Sequence, residues 1–163
     1  MYKDYLRRLP TAKGFGVFTT VVIPAKVPIV EFKGDLFLTD QVKHDSEYIL
    51  QIGINTFLGP SGEIDDYINH SCNPNCLVHI VGNRAILYSM YLIPANIELT
   101  FDYSTTATDT PEEWSMSCQC GSSNCRRTIS GYNTLDRQAK DSYKNANALP
   151  LYITNPSMVQ KKF

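Results

Sequence analysis

Long apolar runs are missing from this chain. No stretch in its 163 residues approaches the roughly 20 that a helix needs to cross a bilayer, and the opening residues, Met1 to Leu9, carry too much charge for a signal peptide. A membrane span and a secretory leader are therefore not expected, and the reading is of a soluble, intracellular protein. An excess of one charge is missing too: 15 lysines and arginines face 16 acidic residues, for a formal charge of -1. Nothing in that balance favours nucleic acid or an anionic membrane, so a charged partner must be met by a local patch. A regular alternation of strands and helices is absent, as is a G-x-G-x-x-G after a strand, which excludes a Rossmann-type site. At this length there is room for one domain, whose folding hides roughly two-thirds of the extended surface.

What is present reads as short strands broken by turns. Gly16 to Val22, Pro28 to Phe32, Tyr48 to Ile54, Leu77 to Val81, Ala85 to Leu92 and Ile97 to Tyr103 are rich in β-branched and aromatic residues. Helical patterns are few: Thr39 to Tyr48 and Thr134 to Asn145, each opened by a threonine suited to capping, with a short turn starting at Pro111. The segments Ile23-Pro24-Ala25-Lys26-Val27 and Ile93-Pro94-Ala95-Asn96-Ile97 echo each other. They are too short to claim a repeat and read as turns, with Asn96 able to take the left-handed conformation. Beyond Gly131 the chain turns polar and helical. The apolar Leu149-Pro150-Leu151-Tyr152-Ile153 is expected to dock back on the domain, and Met158 to Phe163 to fray.

Chemistry concentrates in four stretches. Tyr67-Ile68-Asn69-His70-Ser71-Cys72-Asn73-Pro74-Asn75-Cys76 is dense in polar groups and short on charge. The others are Lys13-Gly14-Phe15-Gly16-Val17-Phe18, Glu98-Leu99-Thr100-Phe101-Asp102-Tyr103-Ser104, and Cys118-Gln119-Cys120-Gly121 with Cys125-Arg126. The cysteines number five, an odd count, and their spacing suits metal better than disulfides. Three thiolates at C-x-C-x4-C fill three corners of a tetrahedral zinc site, whose fourth ligand must come from elsewhere.

In this order the four stretches resemble the motifs of SET-domain protein lysine methyltransferases, over Lys13 to about Ile129. The resemblance implies a mainly β fold with a few short helices. This is the SET-domain (β-clip) fold of small curved sheets with a C-terminal pseudoknot, in which a late strand threads the Asn69-His70 segment, closed by a zinc-bound post-SET lid. The division it suggests is a lead-in at 1–12, the SET domain at 13–104, the zinc lid at 105–131, and a C-terminal helix and tail at 132–163. Only Met1 to Ala12 precedes the first motif, as expected of a free-standing domain.

Roles follow from the same resemblance. Cys72 joins Cys118, Cys120 and Cys125 around one structural zinc ion, leaving Cys76 free. Lys13, Gly14, Phe15 and Gly16 form a loop whose main chain meets the methionine part of S-adenosylmethionine (AdoMet), the paired glycines letting the backbone approach closely. Asn69 holds the same co-substrate by its amide and His70 by its backbone, the His70 ring not being a general base; Tyr48 lies in a strand that reaches this pocket. Tyr103 is the expected catalytic residue, touching both co-substrate and amine. Its reaction is an in-line displacement by a lysine ε-amine that must be neutral and aligned, whereas free lysine has a pKa of about 10.4. A narrow apolar channel desolvates the amine, with Phe101, Tyr67 and Phe32 as its walls. Phe101 stands at the family's Phe/Tyr switch, where phenylalanine leaves space for di- or trimethylation. Phe32 departs from the pattern, because the family often has a tyrosine hydroxyl there.

The expected partner is a protein or peptide bearing lysine, a histone tail included, with no direct nucleic-acid binding and no membrane. Localisation then follows the substrate, to nucleus or chromatin for a histone and otherwise to cytoplasm. Short acidic stretches at Glu63 to Asp66 and Asp109 to Glu113 are either attractors of a basic tail or solvated loops. The alternative is a catalytically weak SET-like module that binds AdoMet, peptide or a protein partner. A zinc module for nucleic acid is weaker still, since the chain has no basic stripe.

Overall fold

The computed structural model of the chain describes residues 1–41, 48–109 and 113–156. In chain order its strands are β1 (Leu6–Thr11), β2 (Gly14–Thr19), β3 (Pro28–Phe32), β4 (Leu36–Leu38), β5 (Leu50–Gln51), β6 (Thr56–Leu58), β7 (Asn69–His70), β8 (Cys76–Val81), β9 (Arg84–Ser89), β10 (Thr100–Phe101), β11 (Met116–Ser117) and β12 (Thr128–Ile129). Two α-helices follow, α1 (Arg137–Asn145) and α2 (Leu151–Thr154). The strands form small sheets of two or three members: β1-β2, β3-β9-β8, β4-β6-β5, β7-β10 and β11-β12.

The Ile-Pro-Ala echo belongs to a structural repeat. The hairpin β8-β9 begins 70 residues after the hairpin β1-β2, strand for strand. After each hairpin the chain bends, and Ile23 and Ile93 pair with one another through reciprocal N–H to O bonds of 2.9 and 2.8 Å. Lys26 and Asn96 then take φ of 61° and 65°. Their N–H groups donate across the pair, Lys26 to Ser89 O at 2.9 Å and Asn96 to Thr19 O at 2.6 Å. Each unit next runs along the other's hairpin. β3 lies against β9, while Thr19 N–H donates to Ile97 O at 3.2 Å and Leu99 N–H to Val17 O at 2.7 Å. Both segments are turns, as read from the sequence, and they are the matching bends of a longer repeat. The likeness is conserved in burial rather than identity: Val17 and Leu87, Ile23 and Ile93, Ile29 and Leu99 are each at most 1 % exposed. Removing side chains of this size from water stabilises by about 1.5–3 kcal/mol apiece, enough to make these matched positions the core.

Element boundaries shift from the sequence reading for identifiable reasons. β1 is an edge strand whose Arg7, Arg8, Leu9 and Pro10 are exposed and whose Leu6 alone is buried, so it carries no alternating apolar signal. β2 ends at Thr19, short of Val22, and β9 at Ser89, short of Leu92, where the chain bends toward the Ile23–Ile93 bridge. Of Tyr48 to Ile54 only Leu50–Gln51 is strand, since Tyr48 sits at φ 60°. The helix expected from Thr39 begins as a 3₁₀ turn, Thr39–Gln41, and its remainder to Glu47 lies outside the described residues. The second helix starts at Arg137 instead of Thr134. Asp136 caps it, accepting Ala139 N–H at 2.8 Å, while the Thr134 hydroxyl is used on Gly131 O at 2.8 Å. Pro111 and Met158 to Phe163 also lie outside the described residues.

The C-terminal segment docks as its apolar residues suggested. Tyr143 of α1 is buried with Leu77, Leu135 and Ala148. Tyr152 of α2 brings its hydroxyl to the carbonyls of Thr106 (2.7 Å) and Gln51 (2.9 Å). The acidic stretch Glu63 to Asp66 is occupied within the molecule: Glu63 pairs with Lys3, Asp65 accepts Lys33 N–H and Asp66 accepts from Ser61 and Gly62.

Candidate active site

β7 and β10 run parallel, with Thr100 opposite Asn69 and Phe101 opposite His70. The Asn75 amide fixes the late strand, donating to Glu98 O at 2.7 Å and accepting Thr100 N–H at 2.9 Å. The strand stops because Asp102 caps the 3₁₀ turn Tyr103–Thr105, accepting Ser104 N–H. Tyr103 is thereby folded back over β7. Its N–H reaches His70 Nδ1 at 3.2 Å, and its hydroxyl donates to Ile68 O at 2.9 Å.

This placement sets the protonation of both rings. Burial holds the Tyr103 phenol well above its usual range, so it is a neutral hydroxyl at physiological pH. Burial also lowers the His70 imidazole to about 4, against the attraction of Asp102. With Nδ1 accepting the Tyr103 N–H, the neutral ring carries its proton on Nε2, 3.2 Å from Cys72 Sγ.

A cavity of about 280 Å³ opens beside this pair. Lys13, Asn69, His70 and Tyr103 line one wall, and Met116, Cys118 and Cys120 line the other. The Asn69 amide donates to Phe15 O at 2.8 Å and to Glu98 Oε1 at 2.7 Å, tying the glycine loop to β7. Gly14 takes φ 100°, and a Cβ at Gly16 would run into the Glu98 carboxylate and the Asn69 amide. Gly14 is therefore required by its backbone angle and Gly16 by close approach. Phe15 and Tyr48 stand apart from this wall: both rings pack on Tyr67, at 6.1 and 5.6 Å, with the Arg8 guanidinium over Tyr67 (4.5 Å) and Phe15 (4.8 Å). Phe32, Phe101 and Tyr103 form a continuous row of rings, Phe32 edge-on to Phe101 at 5.8 Å and Phe101 against Tyr103 at 4.8 Å.

Sulfur gathers at the rim. His70 Nε2 and the Sγ atoms of Cys72, Cys118 and Cys120 lie within 4.8 Å of one another. Cys125 packs on the same cluster and points its thiol at Cys118 O, 3.6 Å away. Cys72 Sγ also faces Arg126 N–H at 3.4 Å. Burial pushes the Cys118 thiol up to about 12. At Cys120 hydrogen bonding, led by Ser122, outweighs burial and leaves the thiol down at about 5. Soft sulfur donors gathered this closely, one of them facing a backbone N–H, fit Zn²⁺. Trp114 packs against this cluster.

Sequence reading missed the group that joins these parts. Asp102 is 1 % exposed. Its carboxylate accepts both terminal nitrogens of Arg126, at 2.8 and 2.7 Å, and the Tyr143 hydroxyl at 2.7 Å. Strand alternation between Phe101 and Tyr103 points such a residue outward; only the arginine after Cys125 hinted at a buried counter-charge.

The SET domain family model matches residues 14–104, more than half of the chain. The chain belongs to the SET domain family. Its SET core resembles that of the "Histone-lysine N-methyltransferase, H3 lysine-4 specific" of Candida albicans, 30% identical over 128 residues, 69% of this chain and 12% of that protein. It also resembles "Histone-lysine N-methyltransferase trithorax" of Drosophila virilis, 32% identical over 144 residues, 78% of this chain and 4% of the relative. The chain thus spans a small fraction of these relatives' length. Among solved structures, KRYPTONITE in complex with mCHH DNA, H3(1-15) peptide and SAH superposes with a TM-score of 0.63 at 28% identity, covering 76% of this chain and 29% of that one. The mainly β fold agrees with these likenesses.

Proposed function

We propose that this chain transfers methyl groups from AdoMet to the ε-amine of a protein lysine, with a histone tail as the substrate class. The observation that carries this reading is the β7–β10 pairing, which brings Asn69, His70 and Tyr103 to one cavity beneath the cysteine lid. Names of relatives and the H3 peptide held by KRYPTONITE support the substrate class, and a net charge of -1 supports a peptide over nucleic acid as the partner. Action on a histone places the protein at chromatin; among the described residues no helix is long and apolar enough to cross a membrane.

AdoMet bound in the cavity supplies an activated methyl group on a sulfonium. Lys13 to Gly16 and Asn69 form the cradle for its methionine portion, and the His70 backbone borders the rest. Phe32, Phe101 and Tyr67 exclude water from the incoming lysine, which favours the uncharged amine. The neutral Tyr103 hydroxyl, anchored on Ile68 O, aligns that amine and does not act as a base. Cys72, Cys118, Cys120 and Cys125 would hold one structural zinc, which would fix the lid at 105–131, with the His70 Nε2–H donating to the Cys72 sulfur. Phe101 bears no hydroxyl and leaves room for an amine already methylated.

The test is incubation with labelled AdoMet and separate core histones. Wild type labels histone and Tyr103→Phe loses about 10² or more of the rate, while Phe101→Tyr shifts products toward monomethyl-lysine by mass spectrometry. AdoMet binding without turnover on any histone would instead favour a binding module, the reading that the missing hydroxyl at Phe32 supports.

A further inference from the structure

We propose that Tyr143, on the C-terminal helix, is a positioning residue for methyl transfer: it fixes the Asp102–Arg126 pair and through it the cysteine lid over the cofactor cavity. This rests on the methyltransferase reading above.

Three separate parts of the chain meet on one buried carboxylate. Asp102 Oδ1 takes Arg126 Nη2 and Ser104 N–H, at 2.7 and 3.1 Å; Oδ2 takes Arg126 Nη1 and Tyr143 O–H, at 2.8 and 2.7 Å. Oδ1 is also 3.5 Å from His70 Nδ1. Arg126 is the lid's inner anchor. Besides Asp102 it donates to Ser104 Oγ at 3.2 Å, and its backbone N–H faces Cys72 Sγ. The adjoining Arg127 carbonyl accepts Cys118 N–H at 2.7 Å, so the cysteine loop closes on the residues beside this anchor. A bidentate pair fixes orientation as well as distance. Among the described residues Tyr143 supplies the one donor to Asp102 from outside SET core and lid. It lines neither the cavity nor the thiol cluster, so its influence on the reaction passes through Asp102. Deleting its hydroxyl leaves Oδ2 with the guanidinium alone and loosens the register of Arg126, while the ring keeps its packing against Leu77, Leu135 and Ala148.

The decisive comparison is Tyr143→Phe against Leu77→Val, a packing change in the same cluster, both in the full zinc-loaded chain. Tyr143→Phe is expected to raise the KM for AdoMet about tenfold, the loss of one hydrogen bond to a charged group, with the KM for peptide unchanged. It is also expected to speed amide hydrogen exchange across residues 116–129. Leu77→Val is expected to lower the melting temperature and move neither. Unchanged AdoMet kinetics and unchanged lid exchange in Tyr143→Phe, or equal changes in both variants, overturn the proposal. Faster lid exchange in a protein whose wild type transfers no methyl group would sink the methyltransferase reading and leave the lid contact standing.

Discussion

The two hairpin units, 6–33 and 76–103, share a backbone path and part company at their ends. The first closes on Glu31-Phe32-Lys33 and the second on Phe101-Asp102-Tyr103. Phe32 is a half-buried ring against Phe101, whereas Asp102, at the matching place, is a buried carboxylate with four hydrogen bonds from Arg126, Tyr143 and Ser104. Glu31, the counterpart of buried Phe101, is half-buried beneath the exposed Arg84 and Lys33. Their turns differ in the same way: Ala12-Lys13 borders the cavity, and Gly82-Asn83 faces solvent. One scaffold is thus used twice, and chemistry resides where the copies diverge.

The contrast is broken most severely at its polar end. Asp102→Leu strands the Arg126 charge in the interior and should cost about 3–5 kcal/mol in denaturant unfolding. Phe32→Leu, at the equivalent position, should cost only about 1 kcal/mol. Equal losses would erase the distinction between the two ends. The shared middle is sharpened by Ile23→Ala and Ile93→Ala. Each should lose about 2–5 kcal/mol, by the same amount within about 1 kcal/mol, and the double variant should lose less than both together because the pair shares packing. Fully additive losses by the same method would show two independent cores.

The smallest effect concerns Glu31. Hydrogen bonds from Arg84 and Lys33 hold its carboxyl at about 2, below the ordinary 4.5. A carboxyl depressed on folding contributes its full stability above pH 4.5 and loses it as pH falls toward 2. Both cations are more than half exposed, which limits the contribution to about 1 kcal/mol. Unfolding of Glu31→Gln and wild type should therefore differ at pH 6 and converge near pH 2; a gap independent of pH would assign the effect to packing.

The SET fold was legible because its motifs are bound to backbone demands: a glycine loop under a carboxylate, an asparagine whose amide bridges two segments, cysteines at ligand spacing. Pro28–Phe32 could be read to the residue, since a β-branched and aromatic run is bounded there by a proline and by Gly34 at φ 132°. β1 was invisible, because arginines on an edge strand carry no alternation. The helix start was misplaced since two residues, Thr134 and Asp136, can each cap, and only the fold shows which hydroxyl or carboxylate is already engaged. Asp102 and Tyr143 lie 41 residues apart, and periodicity carries no sign of a contact between them. The repeat went unrecognised because it is kept in which positions are buried, and two residues of one apolar class need not be identical.

The meeting of three segments on Asp102 also bears on the order in which the chain can finish. Residues 1–104 contain both hairpins and the paired strands β7 and β10, so nearly all of the apolar core exists once they leave the ribosome. The carboxylate that core must enclose still lacks a cation until residue 126 emerges and a third donor until residue 143. Interior charge without a counter-ion is among the costliest states a protein can hold, so the nascent domain has reason to stay open at that corner until its C-terminal helices arrive.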